Sequence, residues 1–382
     1  VNLYKQPQEN KFLMIRHFRI PFLTGLFLLL WAVSGFTASP KMIAPMEVSR
    51  FPSLESAIRI KGPVHFCGEF VPIHLPEVRE RLEKELLLML WDRAQIILWL
   101  KRTGRYFPYI ENVLAEASMP SDLKYIAVIE SALKPHAGSN KGARGVWQFI
   151  PSTGRNYGLT VDRYVDERRN FHLATKAAAR YLHELNGMFN SWTLACAAYN
   201  MGEQGLQKQI KKQDVKDYYH LHLPQETQRY ILRAIAAKLI LSEPTRYGFD
   251  LKRGDYYPPQ KFDRIRLKAK CSTPITLVAK SAGTYYKTIK DLNPQLLNDV
   301  IPKGDHTLFL PEGSARKFSK RYLPLIAKYR ASFKGNTYKV KRGDTLTAIA
   351  RKNNVPLWRL LKTNNLTHRS TIRPGQKLVI MK

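Results

Sequence analysis

Cysteine is scarce in this chain of 382 residues, which carries only Cys67, Cys196 and Cys271. Three thiols cannot all pair within one chain, and their spacing fits no metal or redox motif, so a disulfide-stapled scaffold is excluded. Cys196 lies in the apolar run Leu194–Ala198 and reads as a small core residue. A single Cys67–Cys271 bridge in an oxidising compartment stays open. Acidic residues are also few, 30 Asp and Glu against 62 Lys and Arg, giving a net charge of +32 and a pI near 10.1. That imbalance favours an anionic partner such as nucleic acid, anionic lipid or a carboxylate-bearing polymer. The cations are scattered and no nucleic-acid-binding motif accompanies them, so nucleic acid is not expected. The ten histidines are scattered too. His220 and His222 lie closest but have no third ligand, and no metal site is expected.

A long hydrophobic run is missing as well. The uncharged stretch Ile20 to Val33 is shorter than the roughly 20 residues needed to span a bilayer as a helix. Lys11, Arg16, His17 and Arg19 precede it, and Ser34, Gly35, Thr37, Ala38 and Ser39 follow. This is the order of a secretory signal, so residues 1–39 read as an export signal or, if uncleaved, an N-terminal anchor. With no cysteine before Cys67, acylation there is not expected. Hydrophobic content of 44% is ordinary for a globular chain, and the length suits two or three domains.

Residues 40–76 are proline-rich and aperiodic, and read as a linker. From Glu77 the pattern turns helical, with Leu82, Leu86, Met89 and Leu90 on one face. Trp91 and Trp99 are expected in the core. Helices are expected over Arg93 to Lys101 and Tyr106 to Ala117, with a stop and restart at Pro120-Ser121-Asp122, Ser121 or Asp122 serving as N-cap. Asn170 to Leu185, Trp192 to Asn200 and Pro224 to Leu241 are further helices. After Gly248, Tyr256-Tyr257-Pro258-Pro259 marks another linker, and Phe262 to Leu267 alternates as a strand.

One acid stands out. Leu123, Ile126, Ala127, Val128 and Ile129 form an apolar helical run that ends on Glu130, a poor environment for a charge. Its pKa should therefore rise until it holds a proton near neutrality, as a general acid requires. The helix is expected to stop at Pro135. A loop with Gly138, Gly142 and Gly145 follows, open to close approach by a polymer. Trp147 and Gln148 then supply a flat aromatic and an amide of the kind sugars stack on and bond to. Tyr199 and Asn200 emerge together at a helix end before Gly202. Glu226 and Tyr230 share a face of the last helix.

Four ordered segments, Ile129-Glu130-Ser131, Gly145-Val146-Trp147-Gln148-Phe149-Ile150-Pro151-Ser152-Thr153, Ala198-Tyr199-Asn200-Met201-Gly202 and Pro224-Gln225-Glu226-Thr227-Gln228-Arg229-Tyr230, resemble the motifs of family-1 lytic murein transglycosylases. These lysozyme-like enzymes cleave the glycan strands of peptidoglycan. The resemblance implies a mainly α lysozyme-like catalytic domain (α+β lysozyme superfamily) over 77–247, with Glu130 catalytic. It implies substrate contacts from Ser131, Ser139, Gln148, Phe149, Tyr199, Asn200, Glu226 and Tyr230, the Tyr230 hydroxyl reaching the catalytic carboxyl. Residues 336–382 resemble a small βααβ LysM module. Gly343, Asp344, Thr345 and Leu346, with Ile372 and Pro374, fall where that family binds N-acetylglucosamine-containing chains. Residues 268–313 resemble a degenerate LysM-like module without Gly-Asp-Thr, and linkers are expected at 248–267 and 314–335.

The implied reaction uses one carboxyl, because ordinary glycosidases need two and the motifs supply one. Glu130 protonates the glycosidic oxygen between N-acetylmuramic acid and N-acetylglucosamine, the acetamido group assists, and Glu130 then takes the C6 hydroxyl proton as a 1,6-anhydro end closes. Two alternatives are a goose-type lysozyme-like hydrolase, with Asp162, Asp166 or Glu203 positioning water, and an inactive wall-binding scaffold. No cofactor is expected. The expected partners are peptidoglycan strands and an anionic membrane surface, for an exported monomer in the periplasm or cell envelope.

Overall fold

The computed structural model describes residues 52–334 and 337–381, so the expected export signal lies outside the described residues. The chain enters with α1 (Leu54–Ala57) and a hairpin of β1 (Val64–Phe66) and β2 (Glu69–Val71), in register Val64 with Val71. Phe66 and Val71 are fully buried. The later part of the expected 40–76 linker is therefore core, because a tight hairpin presents alternate apolar side chains to one face. The Glu69 carboxylate meets the start of a helix distant in sequence, α7 (Trp192–Met201), accepting from Trp192 N, from Thr193 N at 3.1 Å and from Thr193 Oγ1 at 2.7 Å. Asp122 binds the same hairpin, its Oδ2 accepting from Cys67 N and Lys238 Nζ, each at 2.8 Å. Neither Asp122 nor Ser121 caps the helix that follows, contrary to expectation: the short 3-10 turn Ser121–Leu123 runs straight into it with no side-chain cap.

Helix α2 (Pro76–Trp91) buries Leu82, Leu86 and Leu90. Trp91 steps off that stripe at the helix end and is 82% exposed, against the expectation of a core aromatic; Trp99 is buried. The segments expected at Arg93 and Tyr106 are one 24-residue helix, α3 (Arg93–Glu116), running through Pro108. Ile96, Trp99, Leu100, Tyr106, Ile110, Val113 and Leu114 stay in phase across the proline. Their packing outweighs the roughly 3 kcal/mol that an interior proline costs.

The catalytic-domain core is completed by α4 (Lys124–Ser131), α5 (Pro151–Asn156), α6 (Phe171–Phe189), α7, α8 (Glu203–Gln213) and α9 (Gln225–Ser242). Helix α4 buries Tyr125 to Ile129. The fully buried Ala195, Ala197 and Ala198 of α7 and Ala234, Ala236 and Ala237 of α9 are small enough to let helices approach closely. A bidentate pair between Arg229 and buried Glu85, at 2.5 and 3.1 Å, fixes α9 to α2.

A second apolar cluster begins at β3 (Phe262–Ala269), antiparallel to β6 (Gly304–Pro311), with β4 (Thr273–Pro274) paired to β5 (Val300–Ile301) and helices α10 (Ile275–Ala282) and α11 (Tyr286–Leu292) between. Its first strand starts inside the expected 248–267 linker. The segment expected as a linker over 314–335 contains α12 (Ala315–Lys334), which buries Phe318, Tyr322 and Ile326 in this cluster. A third cluster is a βααβ unit of β7 (Thr337–Lys339), α13 (Leu346–Lys352), α14 (Leu357–Thr363) and β8 (Lys377–Val379) around Ile349, Leu360 and Leu378. All three cysteines are free, so the Cys67–Cys271 bridge is not formed.

Candidate active site

Glu130 occupies the last turn of α4. That helix ends at Ser131, earlier than Pro135, because Ala132 and Leu133 both turn left-handed, with φ of 53° and 57°. Burial pushes the Glu130 carboxyl up to about 7; the Tyr230 hydroxyl and the Arg233 charge pull it down, and Glu226 adds to the rise. Tyr230, buried on α9, donates its hydroxyl to Glu130 Oε1 at 2.5 Å across 100 residues of sequence. Burial holds the Tyr230 phenol far above its usual range, so it remains a donor.

The loop after α4 folds back on itself through bridges of Arg144 to Gly138 and to Phe149. Gly145 sits at φ 84°, and a Cβ there would lie 1.8 Å from the Arg168 carbonyl oxygen, so glycine is required. Gln148 also takes a left-handed conformation, φ 48°, and its Nε2 donates to Gly145 O at 2.7 Å. Phe149 packs against Tyr199 and Tyr181 at ring distances of 6.1 and 6.4 Å. Tyr199 donates to Trp147 O at 2.7 Å, and Asn200 Oδ1 accepts from Thr227 Oγ1 at 2.8 Å, tying α7 to the loop and to α9.

These elements enclose a cleft of about 1080 Å³ lined by Glu130, Ser139, Gln148, Phe149, Tyr199, Asn200, Glu226 and Tyr230. That volume lies at the upper end of the roughly 300–1,000 Å³ of small-molecule sites. Ser139 is exposed, its Oγ accepting from Ala143 N at 3.2 Å. Glu226 is exposed on the rim with Lys141 Nζ at 3.6 Å.

Ser131 does not reach the cleft. It is buried, and its hydroxyl donates to Val146 O at 2.8 Å, a bond that locks the helix end to the loop. Trp147 offers no stacking surface either; it is 1% exposed and its Nε1 donates to Thr175 Oγ1 at 2.9 Å. Of the acids weighed for positioning water, Glu203 lines the cleft and accepts from Tyr181 OH at 3.0 Å. Asp166 is spent on Arg168 and Asp162 on the backbone of Tyr164 and Val165. Tyr181 and Arg233 also line the cleft and were not anticipated. Arg233 lies three residues after Tyr230, a helical spacing that could have revealed it. Among the described residues no group of three or more His, Cys, Asp or Glu could hold a metal ion.

In the βααβ unit, Gly343 sits at φ 86° and Thr345 caps α13, its Oγ1 accepting from Ala348 N at 3.1 Å. Asp344 Oδ2 accepts from Lys341 N at 2.7 Å and Tyr338 OH at 2.9 Å, and the Lys341 amide is the main cause of its lowered pKa. Gly343 and Thr345 are exposed with Pro374, while Leu346 and Ile372 are half-buried and pack on the third cluster.

A helical lysozyme-like domain whose cleft centres on one sheltered carboxyl, followed by two small modules, is the architecture of an enzyme that acts on a glycan. Residues 108–222 match the Transglycosylase SLT domain, 261–325 the family described as Lytic transglycosylase MltD, LysM-like domain, and 338–380 the LysM domain. The membrane-bound lytic murein transglycosylase D of Escherichia coli K12 is 31% identical over 331 residues, covering 82% of this chain and 72% of that protein. The chain belongs to this lytic murein transglycosylase family. The peptidoglycan transglycosylase gp16 of Escherichia phage T7 is 42% identical over 83 residues, 21% of this chain and 6% of that protein. The 70 kDa soluble lytic transglycosylase SLT70 of Escherichia coli aligns at 16% identity with a TM-score of 0.33, over 47% of this chain and 31% of that one.

Proposed function

We propose that this enzyme cleaves the β-1,4 bond between N-acetylmuramic acid and N-acetylglucosamine in peptidoglycan, leaving a 1,6-anhydromuramoyl end, with Glu130 as acid and then base. The observation that carries the reading is a buried carboxyl, raised to about 7, that receives a hydroxyl bond at 2.5 Å inside a cleft of about 1080 Å³. Protonated Glu130 gives its proton to the glycosidic oxygen and that C–O bond breaks. The acetamido oxygen of the muramoyl sugar satisfies C1. Glu130, now a carboxylate, removes the C6 hydroxyl proton as O6 bonds to C1 and displaces the acetamido oxygen. The proton is returned to Glu130 and no water is consumed. The low-dielectric setting that raises the acid also disfavours leaving it charged, which drives the second transfer.

Ser139, Gln148, Asn200 and the Phe149–Tyr199 surface hold the strand, Tyr230 orients Glu130, and Glu226 with Lys141 meets the strand at the rim. The turn Gly343-Asp344-Thr345-Leu346 and the Ile372–Pro374 loop of the C-terminal module bind the same polymer and raise its local concentration at the cleft. The enzyme works as an exported monomer of the cell envelope, its net charge of +32 holding it near anionic surfaces. Glu203 in the cleft is the observation that favours a hydrolytic route instead. Mass spectrometry of murein digests separates the two, since anhydro products are one water lighter than reducing ends. Reducing ends alone would overturn the non-hydrolytic reading.

A further inference from the structure

The module that lacks Gly-Asp-Thr is seated on the catalytic domain by the loop after its second helix. Val165 and Leu296 form an antiparallel bridge, and both are buried in the module's own apolar cluster. Asp166 N donates to Gln295 O at 2.8 Å, Leu297 N to Tyr164 O at 2.9 Å, and Asn298 Nδ2 to Arg163 O at 2.8 Å. From this seam the contacts run inward. Buried Asp166 accepts from Arg168 Nε and Nη2, each at 2.8 Å. The remaining arm, Arg168 Nη1, donates to Gly142 O at 2.8 Å and to Phe149 O at 2.9 Å. Both carbonyls belong to the loop that walls the cleft. The Arg168 backbone oxygen also fills the space beside Gly145.

We propose that the LysM-like module is a brace for the active site, acting through Asp166 and Arg168 on loop 139–149, with Arg168 as its positioning residue. The catalytic consequence rests on the proposed role of Glu130; the ordering of the loop does not. Gly142, Gly145 and Gln148 all sit at positive φ, so the loop needs outside contacts to keep one shape. A guanidinium supplies them in fixed geometry, because a fork anchored on one carboxylate aims its free arm. The loop that would flank a sugar groove in a LysM module is here spent on protein, which gives the module a use without sugar.

The test is hydrogen exchange on the full chain, comparing the parent with an Asn298→Ala/Leu296→Ala seam variant and with Arg168→Lys. The reporters are the Ser139, Gly142 and Arg144 amides, which donate to Ala143 O, Ser139 O and Phe149 O within the loop. We expect about tenfold faster exchange at these amides in both variants, with Ile126 to Val128 of α4 still protected. Cleavage of soluble glycan should show a raised KM with a smaller change in kcat, since the loop carries strand-binding rather than proton-transferring groups. Unchanged loop exchange in the seam variant overturns the brace, as does acceleration spread evenly through α4 and the loop. If the parent does not cut murein at all, the proposed function fails while the exchange result still decides the brace.

Discussion

The two small modules fold by one device and differ in what surrounds it. In the LysM-like module the Asn293 amide donates to Ile289 O at 2.8 Å and Phe309 O at 2.7 Å, and its oxygen accepts from Phe309 N at 2.8 Å. In the C-terminal module Asn364 repeats this staple, donating to Leu360 O at 2.9 Å and Val379 O at 2.8 Å and accepting from Val379 N at 2.7 Å. Each amide closes a helix and joins it to the closing strand. Beyond the staple they part. The first module enters its helices through Thr273–Pro274, paired to Val300–Ile301, and the loop behind Asn293 is docked on the catalytic domain. The second keeps the Gly343-Asp344-Thr345 turn, and among the described residues its loop after Asn364 hydrogen-bonds only within the module. A fold is preserved by its amide staple, while its edges are free to serve a polymer or a neighbour.

The largest effect should separate the catalytic domain from both modules. Glu130→Gln is expected to cut murein cleavage by about a thousandfold, the scale of a lost general acid, with pelleting on insoluble murein unchanged. Near-parental activity would remove Glu130 from the chemistry. The same substitution sharpens the contrast in stability. The native carboxyl titrates at about 7 against 4.5 for the free group, so between those values the native state binds the extra proton and stability falls as pH rises. The full cost is about 3 kcal/mol above neutrality, and Glu130→Gln should remove it. Melting at pH 8 should improve relative to pH 4 in the variant, and an unchanged difference would show that the carboxyl is not sheltered.

Next come paired substitutions of the staples. Asn293→Ala should cost about 2–3 kcal/mol within its module by leaving the buried Phe309 amide unpaired, and Asn364→Ala about 1 kcal/mol, since the Val379 amide it pairs is only half-buried. Asn293→Ala should slow cleavage of soluble glycan, and Asn364→Ala should weaken murein pelleting while leaving that cleavage rate alone. The reverse pattern would break the comparison. The last effect belongs to the hairpin. Glu69→Ala removes the carboxylate that accepts from the first amides of α7, leaving the Ser191 cap in place, and should lower catalytic-domain stability by about 1–2 kcal/mol in urea titration, with amide protection in the C-terminal module unmoved.

Much of the site was legible because its chemistry sits in short ordered motifs. Glu130 stands out by the apolar run before it, whereas Gly145, expected to admit a polymer, is instead required by the Arg168 carbonyl packed against it. Ser131 and Trp147 misled because a motif does not say which side of a wall a residue faces. The hydroxyl of Ser131 and the indole of Trp147 meet partners distant in sequence, Val146 and Thr175. The hairpin at 64–71 was missed because flanking prolines are a local signal that packing outweighed, and the continuity of α3 was missed across residues 102–105, between two segments that were expected as separate helices. Helix α12 was expected as a linker, and its apolar period, Phe318, Tyr322 and Ile326, shows once the second cluster is there to receive it.

The sequence by itself determined the helical periods, the family motifs, the placing of Glu130 at the end of an apolar run and the excess of cations, all of which depend on residue type and near-neighbour spacing. The Tyr230–Glu130 contact was expected from the motifs and is present at 2.5 Å; only the tertiary structure decided that Glu69 accepts from the first amides of a distant helix and that the LysM-like module stands against the cleft wall. Those outcomes depend on which surfaces meet. Burial and hydrogen bonding between segments far apart in the chain are set by the whole packed core, and no local pattern encodes them.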